Sequence, residues 1–243
     1  MRNEIIVMSD IHLGTKDSKA KEAVNFLKQN PCDTLILNGD IVDGWALKRG
    51  STWKNKHMDF IRYIMKLTET GTNVIWLRGN HDDFLKDFIP FTLGNMEFRE
   101  DYVISSGGKS YYVLHGDVFD VFVTKMKWIA KIGSIGYDLA LWINRWYNRY
   151  REFRGKPYFS LSKRIKNSVK LATNFVNDFE NHIVYLAKIN KYNGVICGHI
   201  HSPIIKEIDG IEYLNSGDWV ENMSALILND GEWKLINYTE KEL

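Results

Sequence analysis

The chain is poor in cysteine: of its 243 residues only Cys32 and Cys197 carry thiols, far apart and outside any Cys-x-x-Cys spacing. That scarcity excludes a disulfide framework and a thiolate metal cluster, and it suits a reducing cytoplasm, the expected location. Long apolar runs are missing too. The amino terminus passes from Met1-Arg2-Asn3-Glu4 into Ile5-Ile6-Val7-Met8, too short for a signal segment or a membrane span. No Gly-x-Ser-x-Gly elbow is present, so nothing points to a covalent serine nucleophile. Internal repeats and low-complexity linkers are also lacking.

With 44% hydrophobic content the chain can bury one good core. We read residues 1–243 as a single domain carrying a helical insertion at 119–190. The net charge of +2 conceals an asymmetry, because Val121 to Phe175 holds 12 Lys/Arg against 2 Asp/Glu and leaves the remainder acidic. Such a basic segment suits an anionic substrate, lipid headgroups or nucleic acid. At its centre Leu139, Leu141, Trp142, Ile143, Trp146 and Tyr147 cover most of a helix circumference. That excess of apolar faces favours a helical lid or cap packed on the body with some aromatic surface left for a ligand or for peripheral membrane contact, the alternative being a purely structural helical hairpin. Arg145, Arg149, Arg151, Lys163, Arg164 and Lys170 are the substrate-binding candidates there.

Outside the insertion the pattern alternates short apolar runs with helical spacing, an α/β rhythm. Glu4 to Met8, Thr34 to Asn38, Asn73 to Leu77, Ser110 to Leu114 and Gly194 to Cys197 read as strands. Helices are expected over Ser18–Lys28 and Lys56–Thr70, the first stopped by Pro31. Each strand ends in chemistry. Asp10 and His12 follow the first, and an extended Asp-x-His stretch would aim both side chains one way. Asp40 follows the second through Gly39, Asn80 and His81 follow the third, His115 the fourth, and His199 and His201 the last. A lone Gly-Asp at a strand end is ordinarily a turn; five strand ends that all deliver carboxylate, imidazole or amide are not. The donor set lacks thiolate and suits Mn, Fe or Zn. With one bridging carboxylate it serves two divalent metals, which activate water and clamp the oxygens of an in-line phosphoryl displacement.

Asp10-Ile11-His12, Gly39-Asp40-Ile41-Val42-Asp43, Gly79-Asn80-His81-Asp82, His115-Gly116-Asp117 and Gly198-His199-Ile200-His201 together resemble the signature of the calcineurin-like metallophosphoesterases. That resemblance implies a four-layer α/β/β/α sandwich. It further implies one metal held by Asp10, His12, Asp40 and His201 and a second by Asp40, Asn80, His115 and His199, manganese being the expected metal and iron or zinc the others. His81 would be the proton donor or transition-state stabiliser, with Asn80 and Asp40 counted beside it as catalytic. Asp43-Gly44-Trp45, Leu141-Trp142-Ile143-Asn144-Arg145-Trp146 and Gly217-Asp218-Trp219 are similar to the UDP-2,3-diacylglucosamine diphosphatase subfamily of lipid A biosynthesis, although His81 stands where those enzymes carry Arg. The implied partner is a nucleotide-diphosphate, phospholipid-like substrate at the inner membrane. The competing readings are a phosphodiesterase or nuclease acting on another substrate, nucleic acid fitting aromatic-rich helices less well than acyl chains do, and a non-catalytic scaffold of the same fold, which would be expected to have lost its ligands.

Overall fold

A computed structural model of the chain describes residues 2–117 and 176–239. The chain divides into two units, Met1–Asp117 with Ile183–Leu243 and Val118–His182. The candidate lid at 119–190 falls largely outside the described residues. So do Arg145, Arg149, Arg151, Lys163, Arg164 and Lys170. Among the described residues, no helix is long and apolar enough to cross a membrane.

The first unit is built on two mixed sheets. Strands β1 (Asn3–Met8), β2 (Cys32–Asn38) and β3 (Asn73–Leu77) run parallel at the centre of a seven-stranded sheet. A parallel edge on one side comes from β5 (Met96–Arg99), with β4 (Phe91–Leu93) antiparallel beyond it; β11 (Ser224–Asn229) and β12 (Glu232–Asn237) extend the other side antiparallel. The second sheet holds β6 (Asp101–Ser106), β7 (Lys109–Leu114), β8 (Gly194–Cys197), β10 (Ile211–Asn215) and β9 (Ile204–Ile208), in that spatial order.

The apolar runs explain the layering, because alternate residues of a strand face opposite sides. Val7, Ile36 and Ile75 turn inward and meet Ile104, Tyr111, Val113, Ile196 and Leu214 of the second sheet. Their neighbours Ile6, Met8, Leu35, Leu37, Val74 and Trp76 turn outward under helices α1 (Ala20–Gln29) and α3 (Asn55–Glu69), which contribute Ala23, Phe26, Leu27, Phe60 and Ile64. Each fully buried aliphatic side chain contributes roughly 1.5–3 kcal/mol. On the far face of the second sheet Val195, Cys197 and Tyr213 are also buried, and the helical residues 183–189 bring Ile183, Val184 and Ala187 as buried apolar side chains. The result is the expected α/β/β/α sandwich. Among the connections, three elements depart from the sequence reading: α2 (Gly44–Lys48), the 3-10 turn Asp83–Phe88 and the β4–β5 hairpin. That hairpin does carry a sequence signal, the two-residue turn Gly94-Asn95.

Candidate metal centre

The ligand candidates of the sequence reading come together where the carboxyl ends of β1, β2, β3, β7 and β8 meet. Asp40 follows the central strand β2, in the middle of its sheet, where loops from both neighbours reach it. Asp10, His12, Asp40, His199 and His201 all have positive φ, between 50° and 65°. A non-glycine residue pays on the order of 1 kcal/mol for that conformation, and it persists only where the surroundings hold it. Here the loops brace each other: the N–H groups of Asp10, His12 and Leu13 donate to the carbonyls of Gly39, Asp40 and Ile41 at 3.1, 3.0 and 2.8 Å. The N–H of Gly198 donates to His115 O at 3.1 Å, and that of Trp219 to Asp10 O at 3.0 Å. Asp10 and His12 thus converge through left-handed turns, which corrects the extended Asp-x-His stretch expected from sequence.

Two carboxylates are oriented in the same way. Asp40 Oδ1 accepts the N–H of His81 at 2.8 Å, and Asp10 Oδ2 accepts the N–H of His199 at 3.0 Å. Each carboxylate also packs on a glycine. A Cβ at Gly79 would lie 2.5 Å from Asp40 N and closer still to Oδ1, and a Cβ at Gly198 would lie 2.5 Å from Asp10 Oδ2. With one oxygen of each thus engaged, the other turns to the imidazoles. Asp40 Oδ2 lies 3.4 Å from His115 Nε2 and 3.9 Å from His12 Nε2, and Asp10 Oδ1 lies 3.0 Å from His201 Nε2 and 3.9 Å from His12 Nε2.

The imidazole orientations are set from behind. His115 Nδ1 is 2.9 Å from the carbonyl of Asn38, so Nδ1 is the donor there and Nε2 is the atom turned to the site. Asp43 Oδ2 does the same for His12 Nδ1 at 3.3 Å, and it also lies 3.1 Å from His81 Nδ1. Burial opposes ionisation of Asp40 and Asp10, but the facing imidazoles His115 and His201 overcome it and hold both carboxyls below their ordinary range. Conversely, burial depresses His115 and His201 while Asp40 and Asp10 outweigh it, pushing the imidazoles up to about 10 and about 9.

Three groups of the described residues gather donor atoms closely enough for a cation: Asp10, His12 and His201; Asp40, His115 and His199; and His12, Asp43 and His81. In the third, Asp43 meets both rings at Nδ1, an orienting contact. The first two fit a metal pair. Bonds of about 2.1 Å place ligand atoms roughly 3.0–3.4 Å apart in octahedral or tetrahedral sites; the Asp10–His201 and Asp40–His115 separations of 3.0 and 3.4 Å fall in that range, and the two 3.9 Å separations from His12 lie outside it. Asn80 Oδ1 is buried without a hydrogen-bond partner, a cost that a cation would remove. The side chains of His81 and His201 are 19% and 36% exposed, against 0% for His115, so the centre opens on their side.

Three supporting carboxylates were not assigned from sequence. Asp43 caps α2 through the N–H of Ala46 at 2.6 Å while holding the two imidazoles. Asp82 is fully buried and accepts from Gly79 N at 2.5 Å and Ile41 N at 3.1 Å, tying the Asp40 and Asn80 loops together. Burial and the Asp40 charge push its carboxyl up to about 6. Asp218 accepts from Val220 N and Glu221 N and stands 4.0 Å from His201 Nδ1. Their signal was position alone, inside or beside blocks already rich in ligands.

The sequence profile of the calcineurin-like phosphoesterases matches residues 4–203. The chain is 23% identical to a UDP-2,3-diacylglucosamine hydrolase of Wigglesworthia glossinidia brevipalpis, over 92% of this chain and 90% of that protein. It is likewise 23% identical to a protein of that name from Photobacterium profundum, over 95% of both. A hypothetical protein from Pyrococcus horikoshii shares the fold, with a TM-score of 0.50, 11% identity, and 99% and 90% of the two chains covered.

Proposed function

This chain belongs to the calcineurin-like phosphoesterase family and is a metal-dependent hydrolase; from that premise we propose that it cleaves the pyrophosphate of a nucleotide-diphospholipid, UDP-2,3-diacylglucosamine or a near relative. Relatives spanning nine-tenths of the chain are UDP-2,3-diacylglucosamine hydrolases, which supports the substrate class. The observation that carries the chemistry is Asp40, a buried carboxylate whose Oδ2 lies 3.9 Å from His12 Nε2 and 3.4 Å from His115 Nε2, between a member of each cation group.

Asp10, His12, Asp40 and His201 would hold one divalent cation, and Asp40, Asn80, His115 and His199 the other, manganese suiting this oxygen and nitrogen set. Two such cations supply an activated water and neutralise charge on the phosphoryl oxygens. The protein's own residues do the rest. Backbone N–H groups of His81 and His199 hold the Asp40 and Asp10 carboxylates, so the donors arrive already oriented. His81, on the open side of the centre, donates to the departing oxygen, a hydrogen bond to a phosphate leaving group and a proton to a more basic alkoxide, its ring lying against Asp43 at 3.1 Å and the Trp45 ring at 4.3 Å. The excess of Lys and Arg in the segment 119–190 complements the charge of such a substrate, which would be met on the cytoplasmic face of the membrane.

The test is direct. Purified protein with Mn²⁺ should release UMP from UDP-2,3-diacylglucosamine, lose that activity with chelator, and leave single-stranded DNA intact at moderate salt. Cleavage of DNA in preference to the lipid would overturn the substrate assignment.

A further inference from the structure

His57 lies in the first turn of α3, fully buried, and belongs to none of the three donor groups found among the described residues. We propose that it is a positioning residue: its Nδ1 seats the loop that carries His12, and through that loop it sets the affinity of the cation site that His12 serves. The inference rests on the two-cation reading above and adds a residue to it from outside the ligand loops.

The ring is placed to accept. Nδ1 receives two backbone N–H groups, that of Lys54 at 3.1 Å and that of Gly14 at 3.2 Å. Two donors at one nitrogen fix the tautomer: Nδ1 offers its lone pair, and Nε2, buried without a hydrogen-bond partner, bears the proton. Burial and the Lys56 charge lower the basicity of the ring; the Thr15 backbone opposes them and Lys54 adds to them, which keeps the imidazole neutral. The bond from Lys54 closes a capping box, a task usually given to Glu or Gln. The bond from Gly14 is the additional one, and it reaches a residue only two beyond His12.

Both polar backbone groups of Gly14 are held by the segment that enters α3, the N–H by His57 and the carbonyl by the Ser51 hydroxyl. The same turn closes on His12, whose carbonyl accepts Thr15 N at 3.1 Å and Thr15 Oγ1 at 2.9 Å. His12 needs this brace more than its neighbours do. Its Nε2 stands 3.9 Å from both Asp10 and Asp40, whereas His201 and His115 approach those carboxylates to 3.0 and 3.4 Å. The ring is thus placed by its backbone and by Asp43 rather than by the carboxylates beside it.

The test measures Mn²⁺ binding by equilibrium dialysis of the full chain at graded free Mn²⁺. His57→Leu puts a methyl group where Nδ1 was, and His57→Asn returns an acceptor, Oδ1, at the same number of bonds from the backbone. Ile64→Ala, in the buried face of the same helix, is the control for lost stability. The account predicts that His57→Leu holds one of two ions about tenfold less tightly and the other within twofold, and that His57→Asn restores most of the loss. Adding His57→Leu to His12→Ala should weaken binding no further, and Ile64→Ala should lower the unfolding temperature and leave both ions in place. Both ions unchanged in His57→Leu, or the same ion weakened by Ile64→Ala, would reduce His57 to a structural residue and overturn the proposal. A second readout needs no metal. In the proton–nitrogen correlation spectrum of the histidine rings of the metal-free chain, His57 should show an unprotonated Nδ1, and the His12 signals should move in His57→Leu while those of His115 stay. A protonated Nδ1 in the unaltered chain overturns the proposal even where no variant folds. Fewer than two ions in the unaltered chain would remove the two-cation reading and leave the spectrum to decide on His57: a displaced His12 ring supports the positioning role, and an unmoved one refutes it.

Discussion

Gly79→Ala removes nothing from the site and adds one methyl group, yet it should inactivate the protein. The φ of Gly79 is not positive, so alanine is free to take the same backbone conformation. The obstacle is Asp40. The new Cβ would lie 2.5 Å from Asp40 N and nearer to its carboxylate, whereas ordinary contacts begin near 3.4 Å, so the carboxylate or its loop must retreat by about 1 Å. Overpacking of this sort costs about 1–3 kcal/mol of stability, and a misplacement of about 1 Å at a reacting centre costs on the order of 10²-fold in rate. The control is Gly210→Ala, where a Cβ meets nothing within 4 Å but φ is +78°; it should lose about 1 kcal/mol of stability and no activity. The assay is kcat/KM on bis(p-nitrophenyl) phosphate with Mn²⁺, beside thermal unfolding and metal content. Gly79→Ala within twofold of the unaltered protein in both turnover and metal content would refute the claim that this glycine exists to seat Asp40.

Asp43→Asn retains a good helix cap but weakens the hold on His12 and His81, so kcat should fall about 10–100-fold with little change in unfolding temperature; Asp43→Ala should lose about 1 kcal/mol besides. His81→Ala should depress hydrolysis of an alkyl phosphodiester by about 10²–10⁴-fold and that of a p-nitrophenyl ester far less, because p-nitrophenolate leaves without a proton; equal losses would remove the proton-donor role. The metal-free protein should lose stability as pH rises from 7 to 10. His115 and His201 carry raised values of about 10 and about 9, so their contribution is complete below the ordinary imidazole range and disappears as pH passes through those values. Metal-loaded protein keeps those rings neutral and should not show that loss; a flat metal-free profile would contradict the pairing.

Much of this architecture was legible because each parallel strand is apolar on both faces and ends at a polar residue, as at Leu37-Asn38-Gly39-Asp40. Such strands announce both their burial and the point where chemistry begins. The β4–β5 hairpin escaped notice because strands of three and four residues show almost no periodicity. The convergence of Asp10 with His12 was anticipated, but by the wrong backbone: left-handed turns at aspartate and histidine leave no pattern in sequence, since their cost is met by hydrogen bonds from loops distant in the chain. For the same reason Asp43, Asp82 and Asp218 could not be told from ligands. A carboxylate that orients an imidazole and one that holds a cation have the same composition and differ only in which atom they face.

The central claim is that Asp40 joins two cation sites. It is tested most directly by counting Mn²⁺ per chain after equilibrium dialysis of the unaltered protein, His115→Ala and Asp40→Ala. Two ions per unaltered chain, about one in His115→Ala and fewer than one in Asp40→Ala are predicted, with hydrolysis lost in both variants. A single ion in the unaltered chain, or two ions retained without Asp40, would contradict it.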